Sequence, residues 1–380
     1  MKKVTNVLLI YDIFIPSVRL CGYEQMKYLQ EIKRINFIAS DAKKVSESQC
    51  KWADVVIFAR SSTWLEFQML KKLKKQGKYI VYVLDDDVFE VPKASMVYAY
   101  FQMPSIRKRV MRNIALCDVF VSPSRHLLEK YGRGKKVRIE EPSVLDFDLS
   151  EKRKTEKFRI GFAGSMDRNG DVENILEGAI SKFYYKYKDR VEIVFMGAKP
   201  EFVEKLGLEY IPYQENYETY QKVLKEQNWS VGLAPMPDTE FHRGKHYNKY
   251  VEYASVGCVG IYSMVKPYTY QIKDKVNGIF CENTEEGWFR AMEWCLEYKD
   301  AVEEIRKNMK MEVQEQFTVK ATSEKFAEDL PEVVTYKAGK IGRIPVKLYQ
   351  KASWLVRGLE FARRNGMKVP GKILKKLQKK

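Results

Sequence analysis

A lysine-rich stretch near residue 250 carries the side chains of this chain that are best suited to chemistry. Lys245, Lys249 and Glu252 stand at positions i, i+4 and i+7, so a helix would place two ammonium groups and a carboxylate on one face. Ammonium groups near a helix N-terminus can bind phosphate oxygens, and a carboxylate can accept hydrogen bonds from a ribose diol. This face could hold a nucleotide. The alternative is a solvated helix with a Lys249–Glu252 ion pair, worth roughly a few tenths of a kcal/mol.

The segments after this helix must position its charged face. Gly257 is suited to end the helix, the apolar run 258–262 predicts a buried strand, and 276–280 predicts a turn that enters another strand. The residues of this pattern are Lys249, Glu252, Tyr253, Gly257, Asn277 and Gly278, followed by the acidic helix start at 284–288. Their order and spacing resemble the donor-binding half of the family 4 (group 1) retaining glycosyltransferases, which implies the two-domain GT-B fold.

Short apolar runs alternate with amphipathic stretches along the chain, which is typical of βα units and parallel sheets. The predicted strands are 4–11, 36–39, 54–59, 78–84 and 118–122 in the first half, and 159–163, 191–196, 230–234, 257–263 and 278–281 in the second. The charged segment 150–157 reads as a linker between the two sets. We therefore predict an α/β protein with two Rossmann-like, doubly wound domains facing a cleft. The predicted boundaries are 1–150 for an acceptor-side domain, 151–330 for a nucleotide-sugar-binding domain and 331–380 for a basic amphipathic helical tail.

The loop 161–170, after the first strand of the second domain, is rich in small residues. Gly164 and Ser165 would let the backbone approach a phosphate closely, and Arg168 could donate hydrogen bonds to it. A purely structural strand-to-helix turn is the alternative. The resembling family often carries Arg and Lys in this loop for the donor diphosphate, and Arg168 is the nearest match. The resemblance thus implies phosphate contacts from a combination of Arg168, His242, Arg243, Lys245 and Lys249.

One position departs from the family pattern. Many members carry two glutamates separated by seven residues, the second matching Glu252, but the position of the first is occupied here by Gly244. Glu240 could substitute only if the loop 235–243 bends it inward. The missing carboxylate leaves the identity of the donor sugar open. It also keeps a catalytically inactive relative that binds a glycan or a protein partner as the alternative to an enzyme.

The first domain carries three consecutive aspartates, at positions 85–87, after the predicted strand 78–84. They could form a divalent metal site, a helix N-cap or solvated turn, or a group that positions an acceptor hydroxyl. Asp-x-Asp metal sites belong to a different glycosyltransferase fold, so we expect no metal or other cofactor beyond the nucleotide-sugar substrate. In relatives this strand end faces the reacting sugar. The resemblance therefore makes Asp86 a catalytic candidate, and His242 is the other.

Arg19, in the loop 17–22 after the first strand, is a further cofactor-side candidate. Its guanidinium could reach the donor phosphates or an anionic acceptor, although a surface arginine is an equally simple interpretation.

The composition suits a two-domain enzyme. The 380 residues are 45% hydrophobic and 13% aromatic, which is ample for two cores. No apolar run approaches the roughly 20 residues that cross a bilayer. The six cysteines are scattered without a Cys-x-x-Cys pair, so neither a zinc site nor a disulfide framework is indicated, and a reducing cytoplasm is expected.

The positive charge of the chain is concentrated at its C-terminal end. Residues 331–380 carry ten lysines and four arginines against two glutamates, a net +12 of the total +17. Apolar residues recur there at helical spacing, at Leu348, Ala352, Leu355, Leu359 and Ala362. Such a helix could lie on an anionic membrane surface, where each cation adds about 1 kcal/mol, or pack against the body, or bind nucleic acid. We expect an anionic membrane surface bound through 338–380, and no nucleic acid.

The resemblance supplies the activity that these residues would serve. It implies transfer of a sugar from a UDP- or GDP-sugar donor to a glycan or lipid-linked glycan acceptor, with retention of configuration. The family has no dependable enzymic nucleophile, so the leaving diphosphate oxygen would help to deprotonate the acceptor while the cations stabilise its charge. Together with the tail, this predicts a cytoplasmic enzyme, peripheral on the inner face of the cell membrane, in bacterial surface polysaccharide biosynthesis.

Overall fold

The computed structural model describes residues 4–146, 155–339 and 342–365. The chain forms two compact units, one made of Met1–Glu141 with Ser323–Lys380 and the other of Pro142–Thr322. The predicted linker falls partly outside the described residues. Residues 323–330 were predicted in the second domain but belong to the first unit, because Phe326, Ala327 and Leu330 are buried in its core.

The first unit contains a six-stranded, all-parallel sheet in the order β2-β1-β3-β4-β5-β6. Its strands are β1 Thr5–Tyr11, β2 Ile35–Asp41, β3 Val55–Ala59, β4 Tyr79–Val83, β5 Val119–Ser122 and β6 Lys136–Ile139. Alternate residues of β1 enter different clusters, Leu8 and Ile10 on one face and Val7 and Leu9 on the other. Both faces of the sheet are therefore covered, which explains the nearly continuous apolar runs.

Helices of the first unit connect these strands. They are α1 Pro16–Val18, α2 Glu24–Glu31, α3 Glu47–Trp52, α4 Trp64–Lys75, α5 Tyr98–Phe101, α6 Pro104–Leu116 and α7 Arg125–Tyr131, with a π-helical turn at Arg19–Tyr23. The start of α4 is fixed by a capping box, in which the Thr63 and Glu66 side chains each accept from the other's backbone N–H.

The second unit contains its own six-stranded parallel sheet, in the order β12-β11-β10-β7-β8-β9. Its strands are β7 Phe158–Gly164, β8 Val191–Gly197, β9 Glu209–Ile211, β10 Val231–Ala234, β11 Val259–Ser263 and β12 Ile279–Cys281. At the centre, Phe162 lies beside Phe195 on one side and Leu233 on the other. The two predicted Rossmann-like sheets are confirmed. Strands β6 and β9 were not predicted, because they are edge strands with charged, exposed positions.

The helices of the second unit are α8 Asn169–Tyr187, α9 Glu201–Lys205, α10 Tyr217–Glu226, α11 Glu240–Arg243, α12 Asn248–Ser255, α13 Glu285–Glu297, α14 Lys299–Gln316 and the first part of α15 Val319–Asp329. Short 3₁₀ turns occur at Met166–Arg168 and Tyr268–Tyr270. The lysine-rich helix begins at Asn248, so the prediction that Lys245 shares its face with Lys249 is wrong. It ends as predicted, because Gly257 adopts a φ of +63° that favours glycine.

After α15 the chain continues as α16 Glu332–Thr335 and α17 Val346–Arg364. The described part of the tail packs on the first unit, since Val346 is buried in its core and Glu360 pairs with Arg109 at 2.5 Å. The packing alternative is thus realised for one face of α17, while Leu348 and Leu355 on its surface remain exposed. Residues 366–380 of the predicted membrane-binding segment lie outside the described residues. No described helix is long and apolar enough to cross a membrane.

Candidate active site

The lysine-bearing helix α12 is fixed on the second sheet by a buried tyrosine. Tyr253 donates a hydrogen bond to the Leu233 carbonyl at 2.8 Å and accepts one from the Ala163 amide at 3.4 Å. Its ring covers Gly232, where an added Cβ would lie only 2.6 Å from the ring. Val251 of the same helix is buried. These contacts hold α12 over the ends of β7 and β10, the edge at which ligands bind in such sheets.

Lys249 and Glu252 form a compact group with a tyrosine from α10. The Lys249 ammonium lies 2.5 Å from Glu252 Oε2, and the Tyr220 hydroxyl donates to the same oxygen at 2.7 Å. Burial and the adjacent Glu252 carboxylate hold the pKa of the Tyr220 hydroxyl well above its ordinary value. The Lys249 and Glu252 side chains keep 17% and 22% of their surface exposed. The ion pair considered in the sequence is therefore present, but water, and hence a ligand, can reach both groups.

A second charged group surrounds His242, which is buried on α11. Its Nδ1 lies 2.7 Å from the Thr239 hydroxyl, and its Nε2 lies 3.2 Å from an Asp171 oxygen at the start of α8. Burial acts to raise the pKa of Asp171, but the hydrogen bond and charge of His242, with the charges of Arg168 and Lys245, lower it overall. The structure thus gathers three predicted residues, Arg168, His242 and Lys245, around one carboxylate.

The loop after β7 has the predicted strand-to-helix geometry. The Gly164 carbonyl accepts from the Ala198 amide at 2.8 Å, while the exposed Ser165 hydroxyl hydrogen-bonds to Asp167. Arg168 Nη2 donates to the Pro235 carbonyl at 2.8 Å. Its buried Nε–H has no hydrogen-bond partner among the described residues.

Tyr268, in the 3₁₀ turn after β11, is buried within electrostatic range of both charged groups. Burial raises the pKa of its hydroxyl, the charge of Arg168 lowers it and the charge of Glu252 raises it further. Both side chains are therefore close enough to act on the same phenol. Together, the residues after β7, β10 and β11 line one edge of the second sheet with Arg168, Lys245 and Lys249.

Arg243, a predicted phosphate contact, pairs with a neighbouring acid. Its guanidinium makes two hydrogen bonds to Asp238 in the preceding loop, at 2.6 and 2.9 Å. Gly244 ends α11, and the Glu240 carboxylate lies 4.0 Å from Arg243. The Arg243 side chain is therefore bound within its own loop.

The asparagine of the predicted Asn-Gly turn has a structural role in this unit. The buried Asn277 amide donates to Glu312 at 2.7 Å and to the Gln271 carbonyl at 3.1 Å, and its oxygen accepts from the Lys273 amide at 2.7 Å. Glu312 also accepts from the Tyr250 hydroxyl on α12. This network ties α12 to α14 and to the turn before β12.

The three aspartates of the first unit have different environments. Asp87 is fully buried and accepts hydrogen bonds from the Tyr131 hydroxyl at 2.9 Å and the Phe89 amide at 3.1 Å, with Lys130 at 3.0 Å. Asp85 pairs with Arg60, and Asp86 lies 3.4 Å from the same guanidinium. Asp86 remains one-third exposed. The turn interpretation therefore fits Asp87, while Asp86 is reachable by a ligand.

Arg19 lies in the π-helical turn and pairs with Glu24 at 2.6 Å. Glu140 was not singled out in the sequence. It is buried and pairs with Arg138, and its burial raises its pKa to about 7.

All six cysteines lie in the described residues, and each is buried and free of a disulfide.

No protein-family model matches the chain, and no curated protein matches it either. Solved structures do resemble it. HepE of Anabaena in complex with UDP superposes with a TM-score of 0.60 at 12% identity, over 86% of this chain and 100% of that one. Sucrose-phosphate synthase of Thermosynechococcus elongatus superposes with a TM-score of 0.61 at 12% identity, over 87% of this chain and 99% of that one. A putative UDP-N-acetylglucosamine 2-epimerase of Listeria monocytogenes superposes with a TM-score of 0.56 at 12% identity, over 89% of this chain and 99% of that one. Two six-stranded parallel sheets with flanking helices and these likenesses establish the two-domain, Rossmann-like GT-B fold.

Proposed function

We propose that this chain is a glycosyltransferase that moves a sugar from a UDP- or GDP-sugar to a glycan or lipid-linked glycan acceptor, with retention of configuration. The observation that carries the proposal is the cationic edge of the second sheet, where Lys249 pairs with Glu252 and the charges of Arg168 and Lys245 act on Asp171. HepE, whose structure contains UDP, has the same fold. A nucleoside diphosphate has the charge that this edge would bind.

Donor binding would exchange the contacts within the Lys249 group. Glu252 accepts from both Lys249 and Tyr220. A ribose diol offers two hydroxyl donors that can replace those contacts on the carboxylate. The released ammonium of Lys249 can then bind a diphosphate oxygen. The Lys249–Glu252 pair is mostly buried, so its opening is favourable only because both groups gain new partners, the carboxylate from the ribose and the ammonium through charge-assisted hydrogen bonds to phosphate.

The chemical step would use this edge to stabilise charge. As the sugar–phosphate bond breaks, negative charge develops on the diphosphate, and preplaced cations stabilise that charge more in the transition state than in the ground state. The unsatisfied Nε–H of Arg168 is a donor available for that purpose after a small reorientation. The departing phosphate oxygen would accept the acceptor proton. Asp86 is the proposed orienting group for the acceptor, and His242, which is held by Thr239 and Asp171, would lie beside the phosphate.

We extend the proposal to a peripheral enzyme at the cytoplasmic face of a bacterial membrane, acting in surface polysaccharide assembly. Its support is the net +12 of residues 331–380 and the exposed apolar side chains on α17, including Leu348 and Leu355. Basic helices with apolar faces bind anionic lipid surfaces.

The direct test incubates the purified chain with a panel of UDP- and GDP-sugars, with and without glycan acceptors, and measures released nucleoside diphosphate. Release above the rate without protein, lost at least tenfold in Lys249→Ala but retained in Lys222→Ala on α10, supports transfer. Lys222 is a matched control because it is exposed and its ion pair with Glu226 is 4.0 Å long. Conversion of the sugar to its epimer without diphosphate release, or no reaction with every donor, would reject the proposal.

A further inference from the structure

The first unit contains an open cavity of about 690 Å³ beside α17. Its walls include Leu65 from α4, Trp354, Gly358 and Phe361 from α17, and the cations Lys43 and Lys351. Its volume lies within the range of small-molecule binding sites. None of these residues belongs to the proposed donor site, which lies in the second unit.

The position of α17 is fixed by polar contacts on both sides of this cavity. Gln350 donates to the Val45 carbonyl at 2.9 Å, and Arg357 pairs with Asp12 at 2.8 Å. Asp12 directly follows β1, and Lys43 comes shortly after β2. The cavity is therefore preformed and lies at the carboxyl end of the first sheet.

The wall of the cavity is largely apolar, and two of its aromatic side chains are unusually exposed. Trp354 keeps 84% of its surface accessible and Phe361 keeps 59%. Gly358, between them on the helix, leaves further space, because an added Cβ would meet no atom of the described residues within 4 Å. Large exposed apolar side chains around a concavity mark binding sites for apolar groups.

The rim of the cavity carries an excess of positive charge. Lys43 and Arg357 both pair with Asp12, each at 2.8 Å, so this trio carries one net positive charge. Burial acts to raise the pKa of Asp12, but the two cations lower it overall, which keeps the carboxylate ionised. Lys351 on the same rim has no ion-pair partner among the described residues. The rim therefore carries a net charge of about +2, which complements a phosphate group.

We propose that this cavity binds a phosphate-headed membrane lipid, with one hydrocarbon chain against Trp354 and Phe361 and the phosphate beside Lys351 and Lys43. The apolar wall and the cationic rim fit the two halves of such an amphiphile. The same helix exposes Leu348 and Leu355, so it offers a surface through which a lipid can enter from a bilayer. This site is separate from nucleotide binding and does not depend on the proposed enzymatic activity.

The test titrates dodecyl phosphate, below its micelle concentration, into the full-length protein by calorimetry, without nucleotide. We expect saturable one-to-one binding. Gly358→Leu fills the cavity and should weaken that binding at least tenfold, while its melting temperature should not fall, because leucine is the better helix former. Leu355→Ala, on the same helix but outside the cavity, is the matched control and should bind as the unmodified protein does. Equal binding by Gly358→Leu would overturn the site.

Two further arms separate the parts of the ligand. Inorganic phosphate at the same concentration should not bind measurably, and dodecyltrimethylammonium should bind at least tenfold more weakly than dodecyl phosphate. Lys351→Glu should reduce the affinity for dodecyl phosphate at least fivefold. Equal affinity for the cationic amphiphile, or phosphate binding without the chain, would overturn the proposed lipid. The UDP affinity of Gly358→Leu, measured in parallel, should be unchanged, so failure of this site is distinguishable from failure of the donor site.

Discussion

Each unit of this protein contains a group made of one lysine, one carboxylate and one tyrosine, and the two groups differ in access. In the first unit, Asp87 is fully buried and also accepts from a backbone amide. In the second unit, the Glu252 carboxylate accepts, within the described part of the chain, from side chains alone and keeps about a fifth of its surface exposed. The same three residue types therefore form a fixed structural contact in one place and an exchangeable one in the other. Access, not residue type, makes the second group suitable for a ligand.

The largest expected effect is the loss of stability when the buried group is disrupted. Asp87→Ala leaves the Tyr131 hydroxyl and the Lys130 ammonium without their acceptor, so the free energy of unfolding should fall by about 3 kcal/mol. Urea unfolding at neutral pH measures this change. Asp86→Ala is the neighbouring control and should cost less than about 1 kcal/mol, because its carboxylate is exposed at 3.4 Å from Arg60. Similar losses in both variants would contradict the structural role of Asp87.

Removal of the carboxylate from the exchangeable group should act mainly on nucleotide binding. Glu252→Ala should weaken nucleoside-diphosphate binding by about 10- to 100-fold, or about 1.4 to 2.8 kcal/mol, because the ribose loses its acceptor. Its free energy of unfolding should fall by about 1 to 2 kcal/mol, less than in Asp87→Ala, because Glu252 is partly exposed and water can replace its carboxylate. Calorimetry and urea unfolding measure the two quantities. Glu226→Ala on α10 should alter neither, and unchanged nucleotide affinity in Glu252→Ala would remove the site assignment.

The tail offers a comparison between two exposed apolar positions of the first unit. Leu355→Glu should weaken sedimentation with anionic vesicles by about fivefold, near 1 kcal/mol, because it removes an apolar contact and adds a negative charge. Met96→Glu is the control, since Met96 is also exposed but lies far from the basic tail in sequence. Deletion of 338–380 is less informative, because Ile344 and Val346 belong to the core. Equal sedimentation by both glutamate variants would count against docking through α17.

The smallest expected effect concerns the pH dependence of stability at the His242 group. The folded pKa of Asp171 lies below its ordinary value of 3.8, so its contacts stabilise the fold above that pH, and the stabilisation is lost as pH falls through the lowered folded pKa. Apart from the pH-independent cost of removing a buried imidazole, His242→Ala should reduce this acid-range loss by less than about 1 kcal/mol, because Asp171 is one-third exposed. Urea unfolding between pH 7 and pH 3 tests it. An unchanged acid dependence would show that His242 does not hold Asp171.

Much of this fold could be predicted because parallel strands that are buried on both faces have continuous apolar sequences. Ten strands were found, whereas β6 and β9 were missed because edge strands carry charged residues such as Lys136 and Glu209. The helix carrying Lys249 was predicted, but its start was not, since Tyr247 offers no side-chain cap to mark it.

The candidate site was predictable only in part. Arg168, Lys245, Lys249 and Glu252 follow predicted strands or lie on the predicted helix. Their partners Tyr220 and Asp171 come from α10 and α8, and no local pattern links them to α12 or α11. Tyr268 follows a predicted strand, and that position at the carboxyl end was the one signal available for it. Contacts between distant segments arise from tertiary packing, and no periodic pattern in the sequence predicts them.

The central claim is that Lys249 binds the diphosphate of a nucleotide while Glu252 binds its ribose. Calorimetric titration of UDP and uridine, with GDP and guanosine in parallel, into the unmodified protein and Lys249→Ala tests it most directly. We predict that Lys249→Ala weakens the diphosphate at least tenfold and changes the nucleoside less than twofold. Equal loss for both ligands, or no loss for either, would contradict the account.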